Sequence, residues 1–200
     1  RSDEYNLWLE QIKQLYRNSK IKASLKVNNE LLEFYWQLGR EMYERRIEEV
    51  WGSGIVEKLS SDLKSAFPMS KGFSTTNLWY IKKWYLFYYE GYIKLHQVGR
   101  ELGSEKLHQV GGEFPLPFAL VPWRHHVEII TKCKSIEEAL FYVTKTIEQG
   151  LSRNSLANCI KANLYEHQGK IVNNFTDHLP ALQSKLVQEV LKENYIQKQA

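Results

Sequence analysis

The chain has 200 residues, 43% of them apolar and 25% charged, with a net charge of +4. That balance suits one globular domain, or two small ones packed together, and excludes a disordered or collagen-like chain. No apolar run reaches the roughly 18 residues of a membrane span, and so small a net charge permits nucleic acid without announcing it.

Two cysteines, Cys133 and Cys159, fit a reducing compartment and cannot build a structural zinc site alone. The start, Arg1-Ser2-Asp3-Glu4, lacks the pattern of a signal peptide, so a cytoplasmic protein is expected.

Residues 5–48 read as helix, or as a helix pair within a first unit, 1–50. Apolar residues recur at Trp8, Ile12, Leu15, Ala23, Val27, Leu31, Tyr35, Leu38 and Met42. The gap at Asn18 and Ser19 is a kink or a boundary. Residues 11–29 carry Lys13, Arg17, Lys20, Lys22 and Lys26 and no acid. A solvated face is the default reading, a phosphate-tracking stripe the other.

A second unit, 51–122, opens on the Gly52-Ser53-Gly54 break. A helix over 55–66 follows, ended by Pro68. After a turn over 69–73, Ser74 caps a helix over about 75–89. Residues 91–122 are rich in Gly and Pro, and Leu-His-Gln-Val-Gly occurs twice, at 95–99 and 107–111. Alternating apolar residues allow a small β-hairpin at about 95–112, while a duplicated surface loop is the plainer account.

A third unit, 123–200, carries helices over 125–133, 136–149, 153–167 and 181–193. Gly150 suits a helix C-terminus, Ser152 a cap, and Pro180 a helix start. The expected fold class is therefore mainly α, a helical bundle.

One pattern occurs twice. Gly72-Phe73-Ser74, with Leu78 four residues on, echoes Gly150-Leu151-Ser152 with Leu156. Glycine permits the sharp turn, the next residue plugs the inter-helix core, and serine caps the new helix. This is the grammar of a helix-turn-helix, winged-helix-like in outline, although most such corners touch only their own core.

The first unit's second helix would offer Thr75, Thr76, Asn77, Tyr80, Lys82 and Lys83, with Lys71 in the turn. The second offers Arg153, Asn154, Asn158 and Lys161. Such residues bond phosphates and base edges, and lysine displaces counterions. The plainer reading is an aromatic core helix, with Trp79, Trp84, Tyr85, Phe87, Tyr88 and Tyr89 inside and an ordinary polar face outside.

The motifs also fall in a family order: Asn28-Asn29-Glu30 with Tyr35-Trp36-Gln37-Leu38-Gly39-Arg40, then Trp51-Gly52, Phe67-Pro68 and Gly72-Phe73-Ser74 with Asn77-Leu78. Val121-Pro122-Trp123-Arg124-His125-His126, the second glycine corner, Asn174-Phe175 and Leu179-Pro180 complete it. Over nearly its whole length the chain resembles the N-terminal domain of the YhcG-like proteins, a bacterial family. The resemblance implies a DNA-processing role and a following nuclease domain of the PD-(D/E)xK type, lying beyond this chain and using magnesium. Leu151 stands where the family usually has tryptophan.

No catalytic or metal residue is expected here, and no cofactor. Asp62-Leu63-Lys64, the one Asp-x-Lys, falls in a predicted helix, where it reads as surface. Adjacent helical residues point about 100° apart, so His125 and His126 do not readily share an ion. Two functional readings follow. One is a non-catalytic DNA-targeting module; the other is an interaction or dimerisation module, a homodimer among the options. Neither calls for a membrane or a small-molecule substrate.

Overall fold

The computed structural model describes residues 2–98 and 116–168. Its elements are α1 (Ser2–Glu44), α2 (Ile47–Trp51), α3 (Ile55–Ala66), α4 (Thr75–Val98), a 3-10 turn η1 (Leu116–Leu120), α5 (Trp123–Lys132), α6 (Ile136–Gln149), α7 (Arg153–Lys161) and α8 (Leu164–Gln168). The fold is mainly helical, with no strand among the described residues.

Helices end where the chain supplies a stop. α1 runs unbroken through Asn18 and Ser19, correcting the expected kink; the Ser19 hydroxyl donates to the Leu15 carbonyl at 3.0 Å, a bond the helix accommodates. It stops at Glu44 rather than 48, because Arg46 takes a left-handed conformation, φ 49°, and turns the chain into α2. α3 and α6 keep their expected bounds. α4 continues past Tyr89 and Gly91 to Val98. Residues 95–98 are therefore helical, and the remainder of the suggested hairpin lies outside the described residues. The helix expected over 153–167 divides at Asn163, φ 54°, into α7 and α8. The expected helix over 181–193 lies outside the described residues.

The core is aromatic. α1 and α4 cross at Gly39, where a Cβ would stand 2.7 Å from the Ile81 carbonyl oxygen and 2.8 Å from the Tyr85 Cβ. That approach brings Trp36 against Trp84 and Tyr85, with ring centroids 5.2 and 5.1 Å apart. Phe118 of η1 closes the cluster over Tyr88 at 4.6 Å. Asn28 secures η1 to α1 by donating to the carbonyls of Ala119 and Val121, at 2.7 and 3.2 Å.

The apolar face of α1 does not all reach this core. Leu32, Tyr35 and Met42 are buried, but Trp8, Ile12, Leu15, Val27 and Leu31 are exposed. Trp79 likewise stands exposed at the edge of α4, while Trp84, Tyr85 and Tyr88 are buried.

Candidate nucleic-acid interface

The first glycine corner joins α3 to α4. Phe67 donates its amide to the Leu63 carbonyl and closes α3. The Ser60 hydroxyl donates to the Phe73 carbonyl and fixes the returning strand of chain to α3. Gly72 has φ 116°, and a Cβ there would lie 2.3 Å from the Tyr35 hydroxyl. Ser74 caps α4 by accepting from the Asn77 amide at 3.2 Å, and Leu78 is fully buried. Phe73 is half-buried, edge-on to Phe34.

Asn77 turns inward. Its side-chain amide donates to the Gly72 carbonyl at 2.7 Å, and its oxygen accepts from the Trp123 indole at 2.7 Å. Trp123 in turn packs on Tyr35 and Trp84, with centroids 4.9 and 5.1 Å away. One carboxamide thus ties the turn, α5 and the aromatic core together. Lys82 is also engaged: it forms a half-buried ion pair with Glu48 of α2 and lies 5.7 Å over the Trp79 ring. Lys71, Thr76 and Lys83 are exposed, and Thr75 and Tyr80 are half-buried. At 3.6 residues per turn, Thr76, Tyr80 and Lys83 share a face.

The second corner joins α6 to α7. Gly150 takes the left-handed conformation, φ 58°, and a Cβ there would meet nothing within 4 Å. Ser152 caps α7 by accepting from the Ser155 amide at 3.1 Å. His125 Nε2 lies 2.9 Å from the Leu151 carbonyl and secures the corner to α5. Leu151 is half-buried, and Leu156 is fully buried beneath α7. Arg153, Asn154, Asn158 and Lys161 are all exposed. Asn154, Asn158 and Lys161 share the face of α7 opposite Leu156, while Arg153, in the first turn, stands about 60° round the helix from Leu156.

Catalytic alternatives find other employment. Asp62 pairs with Lys58 at 2.9 Å on the surface of α3. His126 is fully buried, its Nε2 2.9 Å from the Phe118 carbonyl and its ring against Trp84 and Phe118. Burial lowers its pKa to about 4, so it stays neutral. Burial pushes the Cys133 thiol up to about 12, far from a reactive thiolate. Among the described residues, no three His, Cys, Asp or Glu gather as metal ligands would.

Residues 11–167 match the DUF1016 N-terminal domain. The chain belongs to that family. It is the family whose motifs the sequence carries, and the structure draws several of them together: Tyr35, Gly72, Asn77 and Trp123 meet at the first corner. No curated protein and no solved structure matches the chain. Sequence reasoning placed Asn77 among outward-facing readers and missed its structural tie. Its partner Trp123 lies 46 residues away, and no local spacing signals that contact.

Proposed function

We propose that this DUF1016 N-terminal domain is a non-catalytic DNA-binding module that targets a nuclease domain carried by the same protein. The observation that carries the reading is the open side of α7, where Asn154, Asn158 and Lys161 stand exposed on one face of a short, capped helix and Arg153 is exposed in its first turn. Arginine and lysine neutralise phosphates and release counterions, and asparagine reads adenine edges or binds phosphate. The face of Thr76, Tyr80 and Lys83, with Lys71, offers a second set of contacts. Asn77 contributes by holding the first corner, and Lys82 by tying α4 to Glu48 of α2, rather than by reaching DNA.

Salt-titrated binding to duplex, branched and single-stranded DNA tests the proposal. Each lost phosphate contact lowers the log–log salt slope by about 0.9 on duplex DNA. Arg153→Ala with Lys161→Ala should flatten the slope by nearly two such steps and weaken every sequence alike. Absence of binding at low salt would remove the reading. In the same preparation, supercoiled plasmid with magnesium or manganese should stay intact; cleavage that survives repurification and vanishes in Asp62→Asn would make this chain an enzyme.

A further inference from the structure

Before α1 enters the core at Leu32, it carries an apolar stripe that neither the fold nor the DNA reading uses. Tyr5, Trp8, Ile12, Leu15 and Tyr16 are 57%, 55%, 41%, 61% and 62% exposed. The spacing from Tyr5 to Leu15 is three, four, three, the seam of a two-helix coiled coil. At 3.6 residues per turn these side chains share one face, and the rings of Tyr5 and Trp8 stand 6.0 Å apart. That face lies opposite the one on which Asn28, Leu32 and Gly39 meet η1 and α4, so the stripe does not continue the core. A run of exposed aromatic and aliphatic side chains on a soluble chain marks an interaction surface.

The charges beside the stripe select its occupant. Acids cluster at the start of α1, at Asp3, Glu4 and Glu10, whereas residues 11–29 hold five basic residues and no acid. On the stripe's own face, Glu4 precedes it and Lys22 and Lys26 follow it. A parallel copy would set like charge on like. An antiparallel copy sets Glu4 against the partner's Lys22 and Lys26, and the partner's Glu4 against the same lysines here. Ile12 then meets the partner's Leu15, and the helix dipoles oppose. In that register Trp8 and Tyr5 lie along Ser19 and the Lys22 stem of the other copy, and the Ile12–Leu15 centre and the charged ends match under a two-fold axis, as a closed dimer requires. An anionic membrane would suit the lysines but repel Glu4 at the other end of the same face.

We propose that the chain forms a two-fold dimer through antiparallel pairing of the α1 arms, residues 4–26. This goes beyond the DNA reading and does not depend on it. Sedimentation equilibrium of the whole chain across the micromolar range should show twice the 23.6 kDa of one copy. Ile12→Glu with Leu15→Glu should return it to a monomer whose helix content by circular dichroism is kept, because neither side chain is in the core, and whose melting temperature no longer rises with concentration as the dimer's does. Glu4→Lys alone, or Lys22→Glu with Lys26→Glu, should weaken association several-fold, and all three together should restore it. Only antiparallel pairing gives that rescue. Three results overturn the proposal: a monomer throughout, whether or not it cosediments with phosphatidylserine vesicles; a dimer that survives Ile12→Glu with Leu15→Glu; or charge reversal without rescue.

Discussion

At residues 72–78 and 150–156 the chain repeats one local pattern, and both copies share a glycine at positive φ, a capping serine, and a leucine with no exposed surface. Beyond those contacts the corners part. The first is built into the aromatic core, since Gly72 faces Tyr35 and Asn77 holds Trp123. The second sits at the edge, with open space around Gly150 and an exposed polar face on α7. Similar turn grammar thus sits in a structural clamp in one place and beside an exposed polar face in the other. Part of the difference lies in the corners, since Gly150 directly caps α6 at φ 58° whereas Gly72 stands at φ 116°, five residues past the Phe67 that closes α3; the rest comes from elements far away in sequence.

The glycines give the widest separation. Gly72→Ala meets both an unfavourable φ and the Tyr35 hydroxyl, so strain and overpacking add. A loss of about 3 kcal/mol or more is expected. Gly150→Ala meets only the backbone penalty, about 1–2 kcal/mol. Equilibrium denaturation of the two variants should rank them in that order. Equal losses would mean that the first corner is no more constrained than the second.

Acid should weaken the aromatic core behind the first corner through His126, which bonds Phe118 and packs on Trp84. A histidine in the unfolded chain titrates near 6.5, whereas burial in the fold lowers this one to about 4. The unfolded state therefore takes up the proton first. Stability is complete above about pH 6.5, falls as pH drops, and is lower by roughly 3 kcal/mol near pH 4. Denaturant midpoints measured from pH 7 to pH 4 should show the decline, and His126→Gln should remove that part of the slope.

The two asparagines near the corners sharpen the contrast. Asn77→Ala strands the Trp123 indole and the Gly72 carbonyl, and a buried group left without its partner costs about 1–3 kcal/mol. Asn154→Ala removes an exposed side chain and should change stability by no more than about 0.5 kcal/mol. Its effect belongs in the binding assay. Thermal melts of both variants, paired with DNA titration of the second, would show whether the corners divide their roles in this way.

How much of this was legible in the sequence follows the range of each interaction. The bounds of α3 and α6 were readable because glycine, proline and serine mark them locally. The caps Ser74 and Ser152 and the plugs Leu78 and Leu156 were readable for the same reason. The left-handed Arg46, which follows the end of α1, carries no such mark, whereas Asn163 after α7 is a residue type that favours that conformation. Periodicity gave α1 an apolar face but not its covering, so Trp8, Ile12 and Leu15 looked like Met42. Thr75-Thr76-Asn77 reads the same whether the carboxamide points to solvent or to Trp123. Lys82 reads as a free cation until α2 brings Glu48 beside it.

The smallest expected effect is one on which the corners should agree. Ser74 accepts from the Asn77 amide at 3.2 Å, and Ser152 from the Ser155 amide at 3.1 Å. A cap satisfies one orphan donor of its own helix, so its worth is set within a single turn and not by what lies beneath. Ser74→Ala and Ser152→Ala should each cost about 1 kcal/mol, which lowers the melting temperature of a chain this size by about 2–4 °C. Matched losses would confine the contrast to the groups under each corner: Tyr35, Asn77 and Trp123 on one side, open space on the other. A much larger loss in Ser74→Ala would mean that freeing the Asn77 amide also disturbs its carboxamide, so that cap and clamp act as one unit. The cycle Ser74→Ala with Asn77→Ala separates the cases, because independent contributions add and a shared unit does not.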